Sequence, residues 1–156
     1  MNLLAVQRAC HDSGLPDEKQ LQNWVDAALT GIDRDTEIVI RIVDEQESAE
    51  LNEQYRHISG PTNVLSFPFS APAGIKMPLL GDLVVCSSRV QQEAAQQHKT
   101  LNDHWAHIIV HGVLHLLGYD HIDAQDADRM EAKEIKTLQQ LHINNPYFVD
   151  EANDDE

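Results

Sequence analysis

The stretch TLNDHWAHIIVHGVLHLLGYDH, residues 100–121, decides how the rest of the chain is read. Thr100 and Asp103 flank the start of a helix that runs to Leu117 and stops at Gly118, a residue that takes a positive φ cheaply. Within it His111 and His115 stand four positions apart, so both imidazoles leave the same face one turn from each other. Two helical histidines at that spacing can share one metal ion. His121, just past the turn at Gly118, can reach the same ion. Three protein ligands leave a fourth tetrahedral position for water, which is the catalytic rather than the structural arrangement of zinc. The expected metal site therefore lies at the C-terminal end of a central helix.

Nine histidines occur in the chain, five of them between His104 and His121. His107 shares the helical face of His111 and His104 is close to it; both are candidates for contacts behind the ligands or with substrate, against the plainer reading of structural or surface histidines. Asp120 can orient a ligand imidazole or simply cap the turn. The histidine spacing matches the metzincin proteases, His-Glu-x-x-His-x-x-Gly-x-x-His. Where those enzymes carry the glutamate that serves as general base, this chain has Gly112, which cannot accept a proton. The metal site is kept and the peptidase base is lost.

Working outward, Leu3 to Ala9 reads as a strand, and Pro16 opens a helix with Leu21, Trp24, Val25, Ala28 and Leu29 at helical period. Thr36 to Val43, rich in β-branched residues, reads as a central strand. Glu45 to Tyr55 follows as a second helix, Asn63 to Phe67 as a strand halted by Pro68, and Ser70 to Pro78 as a loop. Leu79 to Cys86 is the fourth strand, and Ser87 or Ser88 caps a helix to about His98. The last helix, Asp123 to Leu141, turns Ala127, Met130, Ile135 and Leu138 inward. These elements predict an α+β (mixed α/β) single domain, about four strands with about five helices, over residues 1–149. An acidic, flexible tail is expected at residues 150–156, where five of seven side chains are carboxylates.

The 156 residues are enough to bury a core without disulfides, and 42% hydrophobic content excludes wholesale disorder. No stretch approaches the ~18–20 apolar residues that span a bilayer, and the N-terminus lacks the basic and apolar regions of a signal peptide. Cys10 and Cys86 make no disulfide framework and read as small buried hydrophobes, so a reducing cytoplasm is the expected setting. With 26 acidic against 11 basic side chains, the formal charge of −15 opposes phosphate backbones unless the few cations are concentrated.

Several separate motifs resemble the bacterial YbeY family of single-strand-specific endoribonucleases. They are His111-Gly112-x-Leu114-His115-Leu116-x-Gly118-Tyr119-Asp120-His121, Leu51-Asn52-x-x-Tyr55-Arg56, Pro61 to Pro68, Leu80 to Cys86, and Met130-Glu131. The likeness spans roughly residues 3 to 148 and leaves out the acidic tail. It implies zinc on His111, His115 and His121, with catalytic roles for His115 and for Arg56 as the basic residue of the cleft. It also implies maturation of the 3′ end of 16S ribosomal RNA and ribosome quality control. The implied partners are single-stranded RNA, the small ribosomal subunit and ribosomal proteins, with neither DNA nor membrane among them.

The chemistry is coherent with that resemblance. A three-histidine zinc ion acts as a Lewis acid and lowers the pKa of bound water to about 7, so a separate carboxylate base is less needed. Three imidazoles also suit nickel, copper or cobalt. Arginine presents a planar fork to phosphate and stays charged; on sequence alone Arg56 reads as a surface salt bridge, and the resemblance reverses that. Thr62, Asn63 and Ser66 offer hydrogen bonds to sugar or phosphate, although turn chemistry explains the first two equally. Asp82 follows a glycine in a strand and is either a partner of a histidine or a strand residue. Two other readings remain: a metallohydrolase of peptides or amides, and a ribosome-assembly factor whose metal is mainly structural.

The charge balance makes a prediction. Binding to free RNA has a log–log salt slope corresponding to only a few phosphate contacts. A titration of affinity against salt that gives a slope worth eight or ten contacts, at about −0.9 per contact or somewhat less for single strands, overturns it.

Overall fold

The computed structural model describes residues 1–75, 77–119 and 123–146. In chain order its elements are β1 (Asn2–Arg8), α1 (Glu18–Ala28), β2 (Thr36–Val43), α2 (Glu45–Arg56), β3 (Val64–Pro68), β4 (Leu79–Cys86), α3 (Ser87–Gln96), α4 (Leu101–Leu116) and α5 (Ala124–Gln140). The strands form one mixed sheet in the order β1-β2-β4-β3; β1, β2 and β4 run parallel, and β3 is antiparallel to β4. The fold is a mixed α/β domain with four strands and five helices among the described residues. The tail at residues 150–156 lies outside them.

Strand alternation divides the core in two. Ile38, Ile40 and Ile42 of β2 and Leu83 and Val85 of β4 face the main core, with Leu21, Trp24 and Val25 of α1, Trp105, Ile109 and Val113 of α4, and Met130 and Leu138 of α5. Burying each such large side chain contributes about 1.5–3 kcal/mol. On the other face Val43, Leu65, Val84 and Cys86 form a smaller cluster, covered by Leu51 of α2 and Phe67. Hence α4 and α2 lie on opposite faces of the sheet.

Helix starts depart from the sequence reading in detail. Pro16 precedes α1, whose cap is Asp17: its side chain accepts from the Gln20 amide at 2.8 Å, and Gln20 Oε1 accepts from the Asp17 amide at 3.0 Å. Thr100 caps α4 as expected, accepting from the Asp103 amide at 3.1 Å. Neither Ser87 nor Ser88 caps α3; the cap position is Cys86, and Ser88 Oγ donates to Glu45 of α2 at 2.9 Å instead. On α5 Met130 and Leu138 are buried as expected, whereas Ile135 is only half-buried and Glu134 and Thr137 fill the inward positions. Cys86 is buried and Cys10 half-buried, and both are free thiols. No described helix is long and apolar enough to cross a membrane.

Two glycines let α4 lie close to the sheet. A Cβ on Gly112 meets the Leu83 methyl groups at 2.9 and 3.2 Å, so position 112 faces the sheet and has no room for the glutamate of a metzincin. Gly81 of β4 holds φ at +147°, where a Cβ meets the Phe67 carbonyl oxygen at 2.3 Å and a Leu116 methyl at 2.9 Å. Replacement by alanine therefore has unequal effects. Gly81→Ala costs about 3 kcal/mol or more, from backbone strain of ~1–3 and overpacking of ~1–3 kcal/mol. For Gly112→Ala an overpacking penalty of ~1–3 kcal/mol is offset by ~0.8–1 kcal/mol of helix propensity. Denaturant unfolding of the two variants must show the larger loss at Gly81.

Candidate metal centre

Spacings of three, four and four residues line His104, His107, His111 and His115 along one side of α4, with neighbouring ring centroids 5.9, 6.2 and 4.6 Å apart. The file runs outward: His104 is 2% exposed, His107 13% and His111 22%. The outer pair is the one the sequence selected. Its Nε2 atoms lie 3.1 Å apart, close to the ~3.3 Å separating two nitrogens bound at 2.0–2.1 Å to one tetrahedral ion.

Behind this pair stands a residue that the sequence reading passed over. Glu134 of α5 is completely buried, and its carboxylate is hydrogen-bonded to His111 Nδ1 and, at 3.2 Å, to His107 Nε2. An unpartnered carboxylate at that depth is prohibitively costly, so these contacts are a condition of its burial. Burial, outweighing the attraction of Glu134, holds the His107 pKa below its ordinary 6.5; the ring is neutral at pH 7 and donates through Nε2–H. His107, His111 and Glu134 bring ligand atoms within 4.8 Å of one another and form a grouping that can hold a metal ion. A signal for Glu134 did exist. It is four residues after Met130 and four before Leu138, an acid in the inward phase of an amphipathic helix.

The other expected site residues divide. His121 and Asp120 lie outside the described residues. Asn63 is committed to structure: its side-chain nitrogen donates to both carboxylate oxygens of Glu93 at 3.1 and 3.2 Å, and its Oδ1 accepts from the Val64 amide at 2.6 Å. Ser66 likewise donates to the Gly112 carbonyl at 3.2 Å, tying β3 to α4 rather than facing a substrate. Asp82 is exposed, and alternation with Leu83 turns it to the sheet face opposite α4, away from the α4 histidines. Arg56 ends α2, is exposed, and has no hydrogen bond or ion pair among the described residues. Its neighbour Tyr55 packs edge-on against Phe67 of β3 with centroids 5.1 Å apart. Arg56 and the histidines thus sit on elements covering opposite faces of the sheet, both beside edge strand β3.

Comparison with known proteins bears on the same residues. The family model for endoribonuclease YbeY matches residues 7–142. The chain belongs to the YbeY endoribonuclease family. A solved structure with the same fold is the solution structure of TM1509 from Thermotoga maritima, 24% identical, with 93% of this chain and 97% of that chain covered and a TM-score of 0.56. Membership makes this fold a nuclease scaffold, and the α4 motif falls inside the matched region.

The inner end of the file supplies a pH test. Burial pushes the Glu93 carboxyl up, but hydrogen bonds from His104, at 2.8 Å, and Asn63, with the charges of His104 and Arg89, outweigh it and hold it below the ordinary 4.5. A depressed carboxylate pKa adds stability that is present above 4.5 and is lost as pH falls through the lower folded value. The melting-temperature gap between wild type and Glu93→Gln therefore narrows below pH 4.5. A gap that stays constant or widens on acidification contradicts this account.

Proposed function

We propose that the chain is a zinc-dependent, single-strand-specific endoribonuclease acting in ribosomal RNA processing, at the 3′ end of 16S RNA, and in ribosome quality control in the cytoplasm. The observation that carries the metal reading is the 3.1 Å approach of the His111 and His115 Nε2 atoms, with Glu134 behind His111, in a member of an endoribonuclease family. His111, His115 and His121 would hold one ion, His121 reaching it from beyond Gly118. The working unit is one domain over residues 1–149, with residues 150–156 as an acidic tail.

When bound, a divalent ion supplies Lewis acidity to the phosphodiester and brings the pKa of water near neutrality. The chain's own part is orientation and charge. Glu134 and His107 fix the His111 ring, and Gly112 leaves the helix face without a protein base. Arg56 offers two parallel donors to a phosphate. In a chain with 26 acidic side chains, an exposed arginine with no carboxylate partner among the described residues supports that role. An RNA strand engaging both Arg56 and the histidines passes over the β3 edge. With a formal charge of −15, affinity for the particle comes chiefly from the small subunit and its proteins rather than from a basic surface.

Purified protein is tested on single-stranded RNA beside His115→Ala and Arg56→Ala. Each variant loses about 100-fold or more, the scale of losing one group that stabilises developing charge. Equal cleavage by wild type and His115→Ala would assign the activity to a contaminant. Chelation abolishes cleavage with little change in melting temperature; a domain that unfolds on metal removal supports the structural-metal reading instead.

A further inference from the structure

The buried carboxylate on α5 divides the two nitrogens of the His111 ring between two tasks. Nδ1 bonds Glu134, while Nε2 faces His115 Nε2 at 3.1 Å. The second carboxylate oxygen takes His107 Nε2 at 3.2 Å. Both Glu134 oxygens already accept from imidazole nitrogens, so an ion bound there competes with those bonds for the remaining lone pairs, whereas the Nε2 pair stands at the separation that one ion bridges. An ion at the Nε2 pair takes the place of the contact between the two Nε2 atoms and leaves both bonds of Glu134 in place.

We propose that Glu134 is a positioning residue rather than a metal ligand: it keeps the His111 proton on Nδ1 and so aims His111 Nε2 at an ion shared with His115, while His107 steadies the second carboxylate oxygen. This rests on the metal-centre reading above and assigns the part of a residue outside the histidine motif. The cause is hydrogen-bond geometry. Neutral imidazole carries one N–H, and a buried acceptor at Nδ1 makes the tautomer with a bare Nε2 the favoured one. The carboxylate also raises the basicity of the opposite nitrogen, which strengthens its hold on a cation. Glutamine keeps the size of the side chain but offers one acceptor oxygen where the carboxylate offers two, so it cannot serve His107 and His111 alike.

The test uses the full chain stripped of metal and titrated with Zn²⁺ against a chromophoric chelator, with Co²⁺ spectra of the same variants. Glu134→Gln binds Zn²⁺ at unchanged stoichiometry but about 10–100-fold more weakly, the usual effect of removing a ligand's hydrogen-bond partner. Its Co²⁺ bands keep the wild-type position and intensity, because the ligand set is unchanged. Shifted or weakened bands would mean that a carboxylate oxygen had left the ion, and unchanged affinity would mean that Glu134 aims nothing; either result overturns the proposal. A measurement on the wild type needs no variant: ¹⁵N-edited spectra of the Zn²⁺-loaded protein place the His111 proton on Nδ1, and a proton on Nε2 refutes the inference. His115→Ala separates the two levels. If it binds Zn²⁺ as tightly as wild type, the metal-centre reading itself falls, whatever Glu134→Gln does.

Discussion

The approach of α4 to the sheet at Gly112, where only hydrogen separates the helix backbone from the Leu83 methyl groups, governs the rest of the structure. Ten of the sixteen residues of α4 are buried, so its rotation about its own axis is set by packing on nearly every side. With that rotation fixed, the strip carrying His104, His107, His111 and His115 has one direction to face, toward α3 at its inner end and α5 farther out. A helix held a little farther from the sheet could roll, and the histidine file would lose its register with Glu134.

The file is also an electrostatic arrangement. Two carboxylates from different helices meet it, Glu93 at the inner end and Glu134 in the middle, and each is bonded to imidazole nitrogen. In a low-dielectric interior these contacts are what make burial of the acids tolerable, and they orient the rings in return. An acidic chain thus builds a corner that can hold a cation by turning two of its carboxylates inward. Asn63 and Ser66 belong to the same framework, joining β3 to Glu93 and to the backbone of α4. Their polar groups are consumed in holding the edge strand in place.

The glycine within the histidine motif gains a structural reason. Similarity to a protease motif sets up an expectation of a base at position 112, and the sheet beneath that position rules it out on steric grounds. The face of α4 that meets the sheet and the strip that meets Glu134 are distinct, so a residue next to a histidine in sequence need not share its surroundings. Membership of an endoribonuclease family, rather than a peptidase family, accords with a histidine site that has no protein base at position 112.

Local pattern was enough for the element order, the interior placement of β2, the Thr100 cap and the pairing of His111 with His115, because each depends on periodicities of two or 3.6 and on contacts within a turn or two. Only the tertiary fold decided which acid meets which histidine. Glu134 lies 23 residues from His111 and Glu93 lies 11 from His104, and no local period relates them. The same holds for Asp82, Asn63 and Ser66. A strand's alternation shows that successive residues face opposite ways, but which face receives α4 and which receives α2 follows from how the helices pack across the sheet.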